Sequence, residues 1–328
     1  MSDDMIFGAK NALEVVLSLK DQDKVLIVTD LEKQVIGKTF QIAAEELGAE
    51  VTLYTFKQDA RPLKELPEDL SSIVTGHDVI INAFSGIPEE TPFRIKLIKH
   101  EITTNARVGH APGITVEMMR EGPMTADYAA VAEQADHLME LFTDAKKVHI
   151  TTPGGTDLFL NIESREFETD VLIKAGTVGN LPAGEIWCAP AENGANGTIV
   201  CDGSIGDIGQ VPSPLTIHVK NGRIVSMENE DSEFKARVWE LTHIDEMADV
   251  IGELGIGLNP MAKLTGNLLE DEKAGETAHV AFGNNTEMPN GRNNSSTHRD
   301  FLFYKPDILV TYKDDSKIEI MREGKIIA

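Results

Sequence analysis

The sequence predicts an α/β N-terminal domain of doubly wound, Rossmann-like type, joined to a β-rich α+β C-terminal domain. Three observations predict it. Up to about residue 110, short apolar runs alternate with stretches of helical periodicity. From Val148 the texture changes to glycine, asparagine and short β-like runs. At 328 residues with 41% hydrophobic content, the chain is long enough for two cores. We place the boundary at 144/145, giving an α/β domain with its linking helix over 1–144 and a β-rich domain over 145–328.

In the first part, Lys24-Val-Leu-Ile-Val-Thr-Asp30 is an apolar run closed by a polar residue, the pattern of a buried parallel strand. Helical periodicity runs from Gln34 to Leu47, with Val35, Phe40, Ile42, Ala43 and Leu47 available for an apolar face, and stops at Gly48. Val51–Phe56 and Asp78–Phe84 are the next strands. Pro92 opens a helix to His100, since proline suits a first helical turn. Arg107 to Gly113 reads as strand and turn. This βαβ rhythm is what predicts the doubly wound sheet. The place of a Gly-x-Gly-x-x-Gly phosphate turn is taken by Asp30-Leu-Glu-Lys, which argues against nucleotide binding.

Tyr128 to Phe142 has helical periodicity and links the halves. Beyond it, Pro153-Gly-Gly, Asn193-Gly-Ala-Asn-Gly197, Cys201-Asp-Gly-Ser and Asn221-Gly222 are hairpin chemistry, because these residues accept the positive φ of tight turns. Glu233 to Ala248 is the one substantial helix expected there.

Thirty basic residues stand against 54 acidic ones, a formal charge of −24. Such a field repels phosphate backbones and excludes nucleic acid as a partner. It favours cationic substrates, such as peptides with a free amino terminus, but it equally serves plain solubility. No apolar run approaches the roughly 20 residues of a membrane span. The acidic start Met1-Ser-Asp-Asp-Met is unlike a secretory signal, and two cysteines, Cys188 and Cys201, make no disulfide framework. A cytoplasmic setting is expected, with both thiols packed rather than reactive.

The strongest local signal is Ser295-Ser-Thr-His298-Arg-Asp300. In a strand, residues i and i+2 share a face, so His298 and Asp300 can grip one ion. His279 lies in the apolar strand Thr277–Gly283, which can pair with it. Glu185, in Leu181-Pro-Ala-Gly-Glu-Ile-Trp-Cys-Ala-Pro190, and Glu253, in Ile251-Gly-Glu-Leu-Gly-Ile-Gly-Leu-Asn-Pro260, are carboxylates among glycine and apolar residues. Each needs a neutralising partner or a raised pKa. Taken singly, each of these residues is as easily structural. Together they are five hard or borderline ligands, a set that suits two metals bridged by a carboxylate. Two His and one Asp alone would suit a single non-haem iron. Asp271-Glu272-Lys273 is expected as a solvated turn, with Glu272 a weaker candidate for orienting a ligand or a substrate amine.

His110–Thr115, Val148–Asp157, Leu181–Pro190, Gly252–Pro260, Leu264–Gly283 and Asn293–Asp300 resemble, in order, segments of the thermophilic metallo-aminopeptidase family of the aminopeptidase T and S type. The resemblance implies a dimeric exopeptidase with two divalent ions, zinc, cobalt or manganese. Glu185, Glu253, His279, His298 and Asp300 fall on its ligand positions, with Glu185 and Glu253 also in catalytic roles. Two features depart from the pattern: a short interval from His279 to His298, and Thr286 where a transition-state tyrosine is expected. A related branch, the 2,5-dihydroxypyridine dioxygenases, would use one Fe(II) on His279, His298 and Asp300. The expectation is therefore a metallo-aminopeptidase acting on small peptides with a free N-terminus, a homodimer; the alternatives are a ring-cleaving dioxygenase and a non-catalytic metal- or peptide-binding member.

Overall fold

The structure, a computed structural model, describes residues 2–328. The chain divides into two compact units, one formed by 1–132 and 169–184, the other by 133–168 and 185–328. This differs from a single boundary at 144/145. The first unit takes back a later segment because Val178–Asn180 adds to its sheet, parallel to Arg107–His110. The other unit already owns most of the linking helix, Tyr128–Leu141.

The first unit is a five-stranded sheet in the order Glu50–Thr55, Lys24–Thr29, Val79–Ala83, Arg107–His110, Val178–Asn180, with every pairing parallel. The expected strands and the helices Gln34–Glu46 and Thr91–Ile102 are present, and three further helices, Asp3–Asn11, Glu68–Val74 and Val116–Arg120, join them. Leu26, Val28, Ile80 and Val108 pack on one face against Leu70, Val74, Phe93 and Leu97 of the helices that cover it. Parallel strands buried on both faces explain why Lys24–Thr29 is apolar without alternation.

In such a sheet the topological switch point lies between the first and third strands in chain order, where their carboxyl ends diverge and ligands commonly bind. Here an internal cation fills that place. Asp30 accepts hydrogen bonds from the backbone of Lys33 and Ser85, both at 2.8 Å, and pairs with Arg61. Arg61 Nε donates to Glu90 Oε1 at 2.9 Å, Nη2 donates to the Ser85 carbonyl, and its guanidinium faces the rings of Phe56 and Phe84. Asp30 and Glu90 stay ionised: burial pushes both up, but hydrogen bonds and the guanidinium hold them below the usual carboxylate range. The absence of a phosphate turn after the first strand thus has a structural counterpart.

The second unit contains two antiparallel sheets. The eight-stranded one runs Arg223–Glu228, Leu215–Lys220, Ala195–Cys201, Asp157–Asn161, Ala145–Thr151, Asp307–Tyr312, Lys317–Arg322, Lys325–Ile326. Its hairpin at Asn221-Gly222 has φ of +50° and +77°, the two-residue turn that Asn-Gly predicts. The centre of the seven-stranded sheet is His298–Tyr304, Thr277–Gly283, Ile251–Gly257 and Glu185–Cys188, in that order. The helix expected over 233–248 is shorter, Ser232–Leu241, because the chain turns so that Asp245 can bind Ser295 and Ser296.

Removing Arg61 while leaving Asp30 and Glu90 buried should be costly, since an unpaired buried charge is worth about 3–5 kcal/mol. Thermal unfolding of Arg61→Met should show a large drop in Tm. Lys96→Met, which breaks an exposed pair with Glu65, should show little.

Candidate metal centre

Four neighbouring strands of the seven-stranded sheet carry the five candidate residues, and their register decides where the side chains go. Residues opposite one another across antiparallel strands share a face, as do residues two apart along a strand. Glu185 lies opposite Gly257, Gly255 opposite His279, Ala281 opposite Asp300, and Gly283 opposite His298. Since Glu253, Gly255 and Gly257 are two apart, all five candidates project from one face. The positions among them are Gly255, Gly257, Ala281 and Gly283, which carry little or no side chain, so longer groups can lean over the sheet, as the His279 ring does over Gly255.

A β-bulge tunes this arrangement. Ile251 pairs with Phe282 but Glu253 with Ala281, so Gly252 is an extra residue. Without it the pairing parity beyond Ile251 would change and Glu253 would exchange faces. Two buried asparagines tie the bulge down. Asn285 Nδ2 donates to the Gly252 carbonyl at 2.9 Å, Asn293 Nδ2 donates to the Ile251 carbonyl at 2.8 Å, and Asn293 N donates to Asn285 Oδ1. The same loop supplies the Asn284 carbonyl, 2.6 Å from His298 Nδ1. A proton on Nδ1 satisfies that carbonyl and leaves Nε2 toward the cluster. Gly255 is required for a different reason. A Cβ there would lie 2.0 Å from His279 Nε2, so only glycine lets the imidazole lie across the neighbouring strand.

The functional atoms form two triads, Glu185/Glu253/His279 and Glu253/His298/Asp300, in each of which one ligand atom per residue lies within 4.8 Å of the others. Glu253 belongs to both. Its Oε1 is 3.4 Å from His279 Nε2 and its Oε2 is 2.9 Å from His298 Nε2. Glu185 Oε2 is 3.6 Å from His279 Nε2, and Asp300 Oδ1 is 3.4 Å from His298 Nε2. All but His298 are buried. Asp300 is 1% exposed, yet neither carboxylate oxygen accepts a hydrogen bond. A buried carboxylate left this way is expensive unless a cation serves it. The donor set, imidazole mixed with carboxylate, suits borderline divalent ions such as zinc, manganese, cobalt or iron. The residues therefore fit a metal.

Charge reinforces the point. Burial opposes protonation of His279, but the hydrogen bond to Glu253 and the charges of Glu253, Glu185 and Asp300 push its pKa up to about 9. His298 is likewise opposed by burial, and Asp300 and Glu253 hold it well above its ordinary value. Burial alone would raise Glu253; the two imidazoles bring it far below the usual carboxylate range.

Two participants escaped sequence reasoning. The Asp271-Glu272-Lys273 stretch is not the solvated turn its composition suggests. Asp271 is buried, accepting from the backbone of Thr265 and Gly266, and the Lys273 side chain is fully buried. Lys273 Nζ lies 2.5 Å from Glu185 Oε1 and 2.8 Å from Glu272 Oε2. A run of three charges normally marks solvent, and only the buried strand that follows it hinted otherwise. The asparagines of the His298 loop were visible as a polar loop, without their role. Both cysteines are free and buried, and burial pushes both thiols up, consistent with packing rather than reactivity. No helix among the described residues is long and apolar enough to cross a membrane.

Two solved structures resemble this one over nearly their whole length at 16% sequence identity. One is the 2,5-dihydroxypyridine dioxygenase from Pseudomonas putida KT2440, with a TM-score of 0.73 over 100% of this chain and 99% of that one. Another is wild-type AmpT from Thermus thermophilus, with a TM-score of 0.73 over 99% of each chain. At that identity these likenesses concern fold alone. No curated protein sequence matches the chain. The model of the thermophilic metalloprotease (M29) family matches residues 114–326, a span that includes all four strands of the cluster. With that match over most of its length, the chain belongs to the M29 family of metalloproteases.

Proposed function

We propose that this protein is an aminopeptidase that uses two divalent ions to release N-terminal residues from small peptides. The observation that carries this reading is the placement of Glu253, which offers one oxygen to each of two separate His-containing triads. A shared carboxylate between two ligand sets is the arrangement of two-metal hydrolytic sites. Glu185 and His279 would complete one position, His298 and Asp300 the other. Bound there, divalent ions supply Lewis acidity, polarising the scissile carbonyl and making water a nucleophile near neutral pH.

The remaining work falls to the chain itself. Glu253 fixes the spacing of the two positions. The Asn284 carbonyl holds the His298 ring so that Nε2 faces inward. The local surplus of carboxylates favours a free α-ammonium over a blocked terminus. A mononuclear iron site on His279, His298 and Asp300 is less well supported, because the two imidazoles fall in different triads.

Metal-stripped protein given back Zn²⁺, Co²⁺ or Mn²⁺ should cleave leucyl-p-nitroanilide and a free dipeptide, and should spare the N-acetylated substrate. Glu253→Gln should lower that turnover by at least about 100-fold without unfolding the protein. Oxygen consumption with one Fe(II) per chain, and no peptide cleavage, would instead establish the dioxygenase alternative. Gly255→Ala, which must displace His279, should weaken metal binding while the far-ultraviolet spectrum stays native.

The pH dependence has a defined sign. His279 and His298 titrate higher in the folded chain than unfolded, so the stability they add is complete below about 6.5. For His279 it is lost as pH rises through about 9. Metal must displace these protons. The Tm of the metal-free protein should therefore fall between pH 6.5 and 9, while the increment in Tm on adding Zn²⁺ grows; an increment that shrinks over this range would contradict the assignment of the two imidazoles.

A further inference from the structure

Lys273 is the one fully buried lysine among the described residues, and it sits against the cluster without belonging to its ligand set. We propose that its ammonium is a built-in cation that makes the two halves of the centre unequal. The Glu253/His298/Asp300 half takes the first divalent ion. The Glu185/Glu253/His279 half takes the second, more weakly. The inference rests on the reading of this site as a divalent-metal centre.

Lys273 Nζ is 2.5 Å from Glu185 Oε1 and 2.8 Å from Glu272 Oε2, so it stands between a ligating carboxylate and an outer one. Glu185 therefore faces His279 with Oε2 while Oε1 serves the ammonium. That contact disfavours two-oxygen binding of an ion, and places a fixed positive charge beside one half of the centre. In the opposite half no ammonium or guanidinium is in salt-bridge contact with Asp300. Asp300 is buried with neither oxygen in a hydrogen bond, and the cation near it is the imidazole of His298.

The ammonium is also held in place. Lys273 N donates to the Glu270 carbonyl at 3.0 Å, and the Lys273 carbonyl accepts from Asn259 N at 2.8 Å. Its neighbour Ala274 forms a bridge with Asn259. With its backbone fixed at both ends and its side chain enclosed, Lys273 cannot swing into solvent when an ion arrives. The ion and the ammonium must share Glu185. At short range in a partly desolvated site, one unit charge readily shifts an equilibrium by tenfold or more, about 1.4 kcal/mol.

Two substitutions move this balance in opposite directions. Lys273→Met removes the competing charge and leaves Glu185 wholly to the ion, so the second ion should bind about tenfold tighter or more. Glu272→Gln keeps the lysine but removes its outer counter-charge, so the ammonium leans more heavily on Glu185. The second ion should then bind about tenfold more weakly. In both variants the first ion should shift less than the second, because Lys273 pairs directly with Glu185 and not with Asp300.

The experiment is a Co²⁺ titration of metal-stripped full-length protein, followed by calorimetry and by the visible absorption of the bound ion. The wild type should take up two ions in separable steps. Opposite shifts of the second step in the two variants support the proposal. Equal first and second affinities in the wild type overturn it, as does a second step that both variants leave unchanged or move in the same direction. If Lys273→Met does not fold, Glu272→Gln decides: weakening greater at the second step than at the first supports, and no change overturns. A wild type that binds no divalent ion at all would remove the metal-centre reading itself, and this proposal with it.

Discussion

The register of four antiparallel strands is the constraint on which the centre depends. Antiparallel pairing with a period of two means that a displacement of one residue sends every side chain of a strand to the opposite face. Glu185, Glu253, His279, His298 and Asp300 come from positions spread over more than a hundred residues, and they converge because Gly257, His279, Ala281 and Gly283 are matched to the right partners. The single irregularity, the bulge at Gly252, is part of that matching. Its glycine permits the extra residue, and Asn285 and Asn293 hold it. The floor of glycine and alanine then gives the long side chains somewhere to meet.

Electrostatics follows from the same geometry. Three carboxylates are brought into one buried space on a chain that is already strongly acidic. Such a concentration of negative charge is tolerable only beside cations. In the protein itself these are the Lys273 ammonium and the protons drawn onto His279 and His298. A site of this kind is poised to exchange protons for metal, and its affinity for ions is set as much by what must leave as by what binds. Unit 1 meets a similar problem without metal, where Arg61 neutralises Asp30 and Glu90 at the carboxyl edge of the parallel sheet.

Much of this was legible in the sequence, for identifiable reasons. His298 and Asp300 are two apart in a strand, so their common face follows from periodicity alone. The first sheet could be read because its central strands carry unbroken apolar runs, Val25–Val28 and Val79–Ile81. The return of Val178–Asn180 to that sheet could not, since three residues, one of them glycine, carry no pattern. Glu253 was recognisable as a carboxylate in apolar surroundings, but its orientation depends on a bulge that only pairing reveals. Lys273 was hidden by its neighbours: Asp271 and Glu272 give it the look of a solvated charge run, and its burial is imposed by the hydrogen bonds that fold 263–275 back on Asn259.

The asparagine pair has a consequence for how this loop can vary. Asn285 and Asn293 fasten the two ends of the segment between the His279 and His298 strands to the backbone beside Glu253. What lies between the fastenings, around 286–290, is largely exposed and holds no ligand. Because its ends are already fixed, lengthening it costs only a slowly growing loop-closure entropy, roughly 0.6 kcal/mol per doubling. Residues can thus be gained or lost there while the His298 ring and the Glu253 bulge keep their places. In mechanical terms the loop is a replaceable visor on a fixed frame, where shape can be altered while the ligand residues beneath it keep their places.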